Sequence, residues 1–375
     1  MKHTNYIDTL TPLRGIAAIW VVLYHYDQLT SFTGLDYLVS RDTTMLLAKG
    51  YLFVDFFFLL SGFILTHVYG NRFQQGINIK SSWNYLWARF SRLYPLHLFC
   101  LLTHIWVACF LIFGFPNVWG KFSHMYALKG IPVHLFLTQA WGSDHWLTWN
   151  VPSWSISAEW AIYMVSPLLF LFLFQKRGWW PWIMALFSFT LLGTIVHFNV
   201  KHSLDATFDW GIFRCLAEFT LGILVYNLYQ EGSLKKWLSK DLSFMAMVLI
   251  TLFGLHIKIH DVWIIPCFIL IILTAAHNQG KVQKTMKWPL AQYLGEISYS
   301  IYMMQGLWLS LYWMGLDSWL VDRPGTVPDT LTLFSLVMSL LFVNIVSAAW
   351  SYHNVEIPFQ QKLRKIKFKR LINFQ

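Results

Sequence analysis

The sequence predicts an all-α integral membrane protein with about ten transmembrane helices, both termini in the cytoplasm and one short interfacial or re-entrant segment. Composition is the first reason. Charged residues make up 12% of the 375 positions, while hydrophobic residues make up 56% and aromatic residues 18%. Soluble domains carry roughly ~25% charged residues and need them to cover their surface. The mean hydropathy of +0.47 points the same way. The second reason is the placement of charge: basic residues sit in short tracts between and after apolar runs, as they do in cytoplasmic loops. Together these exclude an ordinary cytosolic enzyme and a disordered chain. They also argue against a nucleic-acid partner for the net charge of +10, because no aromatic-interleaved basic patch lies on a soluble segment.

Apolar runs near 13–29, 45–69, 86–114, 154–174, 181–198, 210–229, 242–257, 262–277, 292–314 and 330–353 are the predicted spans. The pair at 242–257 and 262–277 is short and is expected to form a thinner or tilted region. The stretch 134–141 is too short to cross and reads as interfacial or re-entrant. With the N-terminus in the cytoplasm, 17 lysines and arginines fall in cytoplasmic segments and seven in outer ones, with Arg14, Arg89, Arg92 and Arg214 inside spans. That asymmetry supports an even number of spans. The first run is not a cleavable signal peptide, since it contains Arg14 and His25 and no small-residue cleavage site follows. Cys100, Cys109, Cys215 and Cys267 all lie in apolar runs without ligand spacing and read as small core residues. No repeat, low-complexity tract or linker divides the chain. The expected organisation is one membrane domain over 1–357, followed by a basic cytoplasmic tail over 358–375.

An ionisable group inside a bilayer costs at least ~2.5–3.5 kcal/mol, so each is a candidate functional residue. Arg14 starts the first span, and Arg89 and Arg92 start the third, one turn apart on one face. Three guanidinium groups at one level suit phosphate, whose oxygens match their planar donor fork; snorkelling at span ends is the plainer alternative. His25 follows Arg14 by three helical turns on the same face, ~16 Å higher. Asp55 in the second span reaches a matching depth of ~15 Å. A histidine and a carboxylate at one height form a general base with its orienting partner, or else a structural pair. Nearer the outside lie Glu159, and Arg214 with Glu218, whose i,i+4 spacing allows a salt bridge. Ser155 and Ser157 read as polar packing or substrate contacts, because no G-x-S-x-G elbow is present. No HExxH, Walker loop or dinucleotide fingerprint occurs, and the histidines are scattered, so no metal is expected.

LRGIAAIWVVLYH (13–25), FVDFFFLLSGFIL (53–65), RFSRLYP (89–95), WSISAEWAIYMVSP (154–167), FRCLAEFTLGIL (213–224), LGEISYSIYMMQ (294–305) and VEIP (355–358) follow one another along the chain. In content and order they resemble the membrane acyltransferase-3 family, which includes bacterial O-acetyltransferases of lipopolysaccharide, exopolysaccharide and Nod factor. The resemblance implies an inner-membrane enzyme that moves an acyl group, usually acetyl from acetyl-CoA, onto a carbohydrate hydroxyl. It implies essential roles for Arg14 and His25. Arg89, Arg92 and Glu159 are implied site members, with Asp55 as the expected catalytic partner of His25. Trp154, Ser155, Arg214, Glu218 and Tyr299 are expected substrate contacts. Two departures stand out. Many relatives end the SYSIY motif in a histidine where this chain has Gln305. Many also carry a soluble esterase-like C-terminal domain, so this chain is expected to act alone or with a separate partner.

The implied path runs from cytoplasmic acetyl-CoA, phosphates on Arg14, Arg89 and Arg92, up to a thioester beside His25, with the acceptor arriving from outside. A transporter or flippase for a lipid-linked glycan is the alternative, since charges in spans also line substrate paths. A non-catalytic scaffold would leave the Arg14–His25 spacing without a cause.

Overall fold

A computed structural model describes residues 7–142 and 147–366 of the chain. Lys2, the loop residues 143–146, and Lys367, Lys369 and Arg370 of the expected tail lie outside the described residues. Within these, every regular element is helical. Helix α1 (Leu10–Phe32) leads through a loop and a 3-10 turn (Gly50–Leu52) into α2 (Phe53–Phe73). The long α3 (Ile79–Gly114) begins at Asn78, whose side chain accepts from the Lys80 amide at 2.9 Å, a cap that satisfies one orphan donor. Short helices α4 (Pro116–Phe122) and α5 (Gly130–Leu135) cross the next loop. Helices α6 (Trp154–Leu173), α7 (Trp180–Phe198) and α8 (Gly211–Glu231) follow, then the single turn α9 (Lys235–Leu238). Helices α10 (Asp241–His256) and α11 (Ile264–His277) form the short pair, and α12 (Lys281–Met286) and α13 (Pro289–Glu296) lead into α14 (Ser298–Asp322). Helix α15 (Thr330–Ser351) runs through a π-helical turn at Tyr352–Glu356 into α16 (Ile357–Lys365).

A helix occupies each of the ten predicted runs. Six of these helical segments, built on α2, α3, α6, α7, α8 and α15, are long and apolar enough to cross a membrane. Helices α10 and α11 are apolar but shorter. Helices α1 and α14 have the length, with 23 and 25 residues, but carry more polar residues, Arg14, His25, Asp27 and Gln305 among them. Helix α7 buries only Ser188, Leu192, Ile195 and Val196 and turns Trp180, Trp182, Leu186, Phe187 and Phe198 outward. An apolar outer face of this kind suits lipid, because a helix keeps its backbone hydrogen bonds internal.

Close crossings set the frame of the bundle. Where α2 meets α8, a Cβ on Gly62 would stand 2.2 Å from the Phe219 carbonyl oxygen, and one on Gly222 would stand 2.2 Å from that of Leu59. Only glycine permits this approach, a common device where helices pack without a strong hydrophobic drive. Helix α1 seats against α13 in the same way: Gly295 faces the Thr11 carbonyl and Gly15 the backbone of Leu294. That contact fixes the turn of α1 that carries Arg14.

The structure adds detail to two expectations and corrects a third. The 134–141 stretch folds onto the start of α6, where Ser157 Oγ donates to the Leu137 carbonyl at 2.8 Å and accepts from the Ala140 amide at 3.1 Å. The segment expected to be a tail begins as α16, docked on α3 by the Trp87 indole, which donates to the Leu363 carbonyl at 2.9 Å. Cys100 and Cys215 are buried, but Cys109 faces outward from α3.

Candidate functional site

Arg14 of α1 and Arg89 and Arg92 of α3 line one cavity of about 170 Å³. Helices α2, α6 and α14 supply the rest of its wall, with Ser61, Ser155, Glu159, Tyr163, Tyr299 and Tyr302 as the polar members. Arg89 donates to the Tyr69 hydroxyl at 3.2 Å. Arg92 forms an ion pair with Glu356, a residue with no solvent exposure that also accepts from Ser300 Oγ at 2.7 Å. The Arg92 guanidinium lies 5.5 Å from the Tyr299 ring centroid. Glu356 was not anticipated as a site residue, although it sits in the quoted VEIP motif. It is carried by the π-helical turn, an arrangement common at functional sites. The turn immediately precedes Pro358, which has no amide hydrogen to donate back to the Asn354 carbonyl.

Glu159 belongs to this cavity and not to a separate outer layer. It accepts from Ser61 Oγ at 2.5 Å and lies within electrostatic range of Arg14 and Arg89. Depth counting misplaced it because it assumed the first residue of α6 to be level with the outer surface. Ser155 and Tyr299 are likewise on the arginine cavity, and Tyr299 donates to the Leu93 carbonyl at 2.7 Å.

His25 lines a second cavity of about 180 Å³, with Gln28, Phe32, Trp149, Pro152, Gly306 and Trp313 around it. Its Nδ1 is 2.8 Å from the Val21 carbonyl oxygen. A carbonyl only accepts, so Nδ1 carries the proton and Nε2 keeps a lone pair. The Tyr24 ring meets the imidazole edge-on at 5.1 Å. The carboxylate within electrostatic range of His25 is Asp205, which accepts from the Tyr24 hydroxyl at 3.3 Å and from Lys201 at 2.6 Å. The fully buried Gln305 faces His25 and has no other hydrogen-bond partner among the described residues.

The expected pairing of His25 with Asp55 does not form. Asp55 binds Arg214 of α8 instead: Arg214 Nε donates to Asp55 Oδ1 at 2.7 Å and Nη2 donates to Oδ2. Both side chains are fully buried. The expected Arg214–Glu218 bridge is displaced for the same reason. Asp55 takes the guanidinium fork, and Glu218 lies against Asp55 without a hydrogen-bond donor of its own. Trp154 covers the other face of Arg214, with the guanidinium carbon 5.6 Å from its ring centroid. Asp55, Arg214, Glu218 and Trp154 thus form a buried knot that borders neither cavity, unlike the expected catalytic and substrate-contacting set.

The two cavities meet at a short chain of hydrogen bonds. Ser155 Oγ donates to the Tyr302 hydroxyl at 2.7 Å, and Tyr302 donates to the Pro152 carbonyl at 2.9 Å. Ser155 and Tyr302 face the arginine cavity, and Pro152 faces that of His25. Among the described residues no cluster of histidine, cysteine, aspartate or glutamate side chains converges as a metal site.

Comparisons with known proteins agree with this architecture. A Rhizobium radiobacter protein, "Protein 2 in picA locus", is 39% identical over 29% of this chain and 49% of its own length. The acyltransferase MdmB of Streptomyces mycarofaciens is 25% identical over 80% of this chain and 78% of its own. A Staphylococcus aureus (strain COL) protein, whose name offers it as an O-acetyltransferase, is 22% identical over 96% of this chain and 58% of its own length. The chain therefore spans about half to four-fifths of these relatives. No solved structure matches it. The family model described as an acyltransferase domain matches residues 7–352, which include both cavities and the partition between them, and the chain belongs to that acyltransferase family.

Proposed function

We propose that this protein is a membrane O-acyltransferase that moves acetyl from cytoplasmic acetyl-CoA to a hydroxyl of a cell-surface glycan, in the inner membrane of a bacterium. One observation carries the reading: a cationic cavity and a cavity holding a histidine base abut at a single partition, Tyr302–Ser155–Pro152. The acyltransferase family and the O-acetyltransferase name of a relative support the reaction class. The bias of lysine and arginine toward one set of loops supports a cytoplasmic donor.

In this reading Arg14 and Arg89 attract the anionic donor, and Glu356 holds Arg92 in place beside them. The thioester is presented at the partition. His25 Nε2 accepts the proton of the acceptor hydroxyl as its oxygen attacks the thioester carbonyl. The C–S bond breaks, and the departing CoA sulfur takes the proton back from the imidazolium. Asp205 stabilises the positive ring in the role first expected of Asp55. Trp149 and Trp313 offer flat apolar faces to the acceptor.

The test uses purified full-length protein in liposomes with acetyl-labelled acetyl-CoA and a surface glycan. Label transferred to glycan, and lost in His25→Ala, is the expected result. Transfer at the wild-type rate in His25→Ala would overturn the role of His25. Glycan movement across the membrane without label would favour a transporter or flippase.

A further inference from the structure

A second group of arginines lies beside the cavity, around Tyr69. Arg72, at the end of α2, and Arg89 of α3 each place the guanidinium carbon 5.4 Å from the Tyr69 ring centroid. Arg364 of α16 is within electrostatic range of both Arg89 and Tyr69. Its position is held by the neighbouring Leu363 carbonyl, which is bonded to Trp87 two residues before Arg89. Two cations thus flank one ring, and the helix that carries Arg364 docks on α3 close by. Among the described residues none of the three arginines forms a salt bridge with a carboxylate. Arg89 Nε is moreover buried without a hydrogen-bond partner. Like charges gathered in one region repel, so an arrangement of this kind is stabilised by an anion held between them.

The cavity itself is a poorer place for several phosphates. Its arginines already face two carboxylates, since Glu356 pairs with Arg92 and Glu159 lies near Arg14 and Arg89. Arg89 belongs to both places: it lines the cavity and touches Tyr69.

We infer that Arg72, Arg89 and Arg364 form a polyphosphate site at the cavity mouth, which binds the phosphorylated nucleotide end of acyl-CoA while the pantetheine arm enters past Arg89. The inference rests on the acyl-CoA reading above and deepens it, moving the phosphates outward from the Arg14–Arg92 level. A lipid phosphate presents the same chemistry, and the experiment separates the two sources. The flat, rigid guanidinium fork explains why arginine, and not lysine, occupies all three positions.

Binding of CoA, dephospho-CoA and 4′-phosphopantetheine is measured on full-length protein in nanodiscs of phosphatidylcholine, and again with phosphatidylglycerol added. The variants are Arg72→Gln and Arg364→Gln, both on exposed side chains, so folding is preserved. Each variant should weaken CoA by about tenfold, the effect of losing one charge-assisted contact, and leave phosphopantetheine nearly unchanged. The wild-type preference for CoA over dephospho-CoA should shrink in at least one variant. Unchanged CoA affinity in both variants overturns the site. Unchanged CoA affinity together with loss of bound phosphatidylglycerol assigns the patch to lipid and also overturns it. Failure of the wild type to bind CoA at all would instead overturn the acyl-CoA reading.

Discussion

Asp55 and Arg214 form a fully buried, two-pronged ion pair that ties α2 to α8 one helical stretch away from the Gly62–Gly222 crossing. Arg214 also donates to the carbonyls of Ala206 and Tyr51, each at 3.1 Å, so four of its five N–H groups are engaged. Removing one partner strands the other charge. Asp55→Ala should destabilise the protein by about 3–5 kcal/mol, seen as a large drop in melting temperature in detergent. Glu218→Gln should cost much less, because Glu218 receives no hydrogen bond that the change would break. Equal melting temperatures for Asp55→Ala and wild type would refute the structural role.

Arg14 sits on the rigid α1–α13 seat and faces the cavity. Arg14→Ala should lower transfer by roughly 10–100-fold, because the cavity loses the cation that faces the donor's inner arm, with membrane insertion intact. Arg14→Lys should recover little, since a point charge does not replace a planar fork. A lysine variant with wild-type transfer would show that only charge matters at this position.

The Val21 carbonyl leaves His25 Nε2 as the free base. The turnover rate should therefore rise with pH as His25 loses its proton and level off once it is neutral. A profile flat from about pH 5 to 9, with the chemical step rate-limiting, would exclude His25 as the base.

Tyr302 closes the partition through its hydroxyl. Tyr302→Phe keeps the ring but removes the hydroxyl between Ser155 and Pro152, leaving only the longer 3.4 Å contact from Ser155 Oγ to the Pro152 carbonyl. Water from the His25 side should then reach the thioester, and acetyl-CoA hydrolysis without acceptor should rise several-fold while transfer falls. Thiol release in the absence of glycan measures this directly. No increase in hydrolysis would mean that Tyr302 does not separate the two substrates.

Much of the membrane architecture is legible along the chain, because lipid imposes a one-dimensional rule: a helix that crosses must be apolar over a fixed length. Apolar length located ten helical runs, although α3 begins at Ile79, so Arg89 and Arg92 stand well inside it and not at its start. Helix periodicity likewise placed Arg14 and His25 on one face, three turns apart. What the rule does not contain is rotation about each helix axis and the choice of neighbour. Height alone made Asp55 a partner for His25. The glycine crossing of α2 with α8 turned Asp55 toward Arg214 instead, and a loop carboxylate, Asp205, is linked to the His25 ring through Tyr24. Glu356 reached Arg92 only because a π-helical turn re-aims the end of α15, and Arg364 came near Arg89 only when α16 docked on α3. The sequence by itself determined which runs form apolar helices and which ionisable residues they carry, since hydropathy and helical period act locally. Only the tertiary structure decided which of them meet, since an ion pair depends on direction and on the few ångströms between helices that side-chain packing sets.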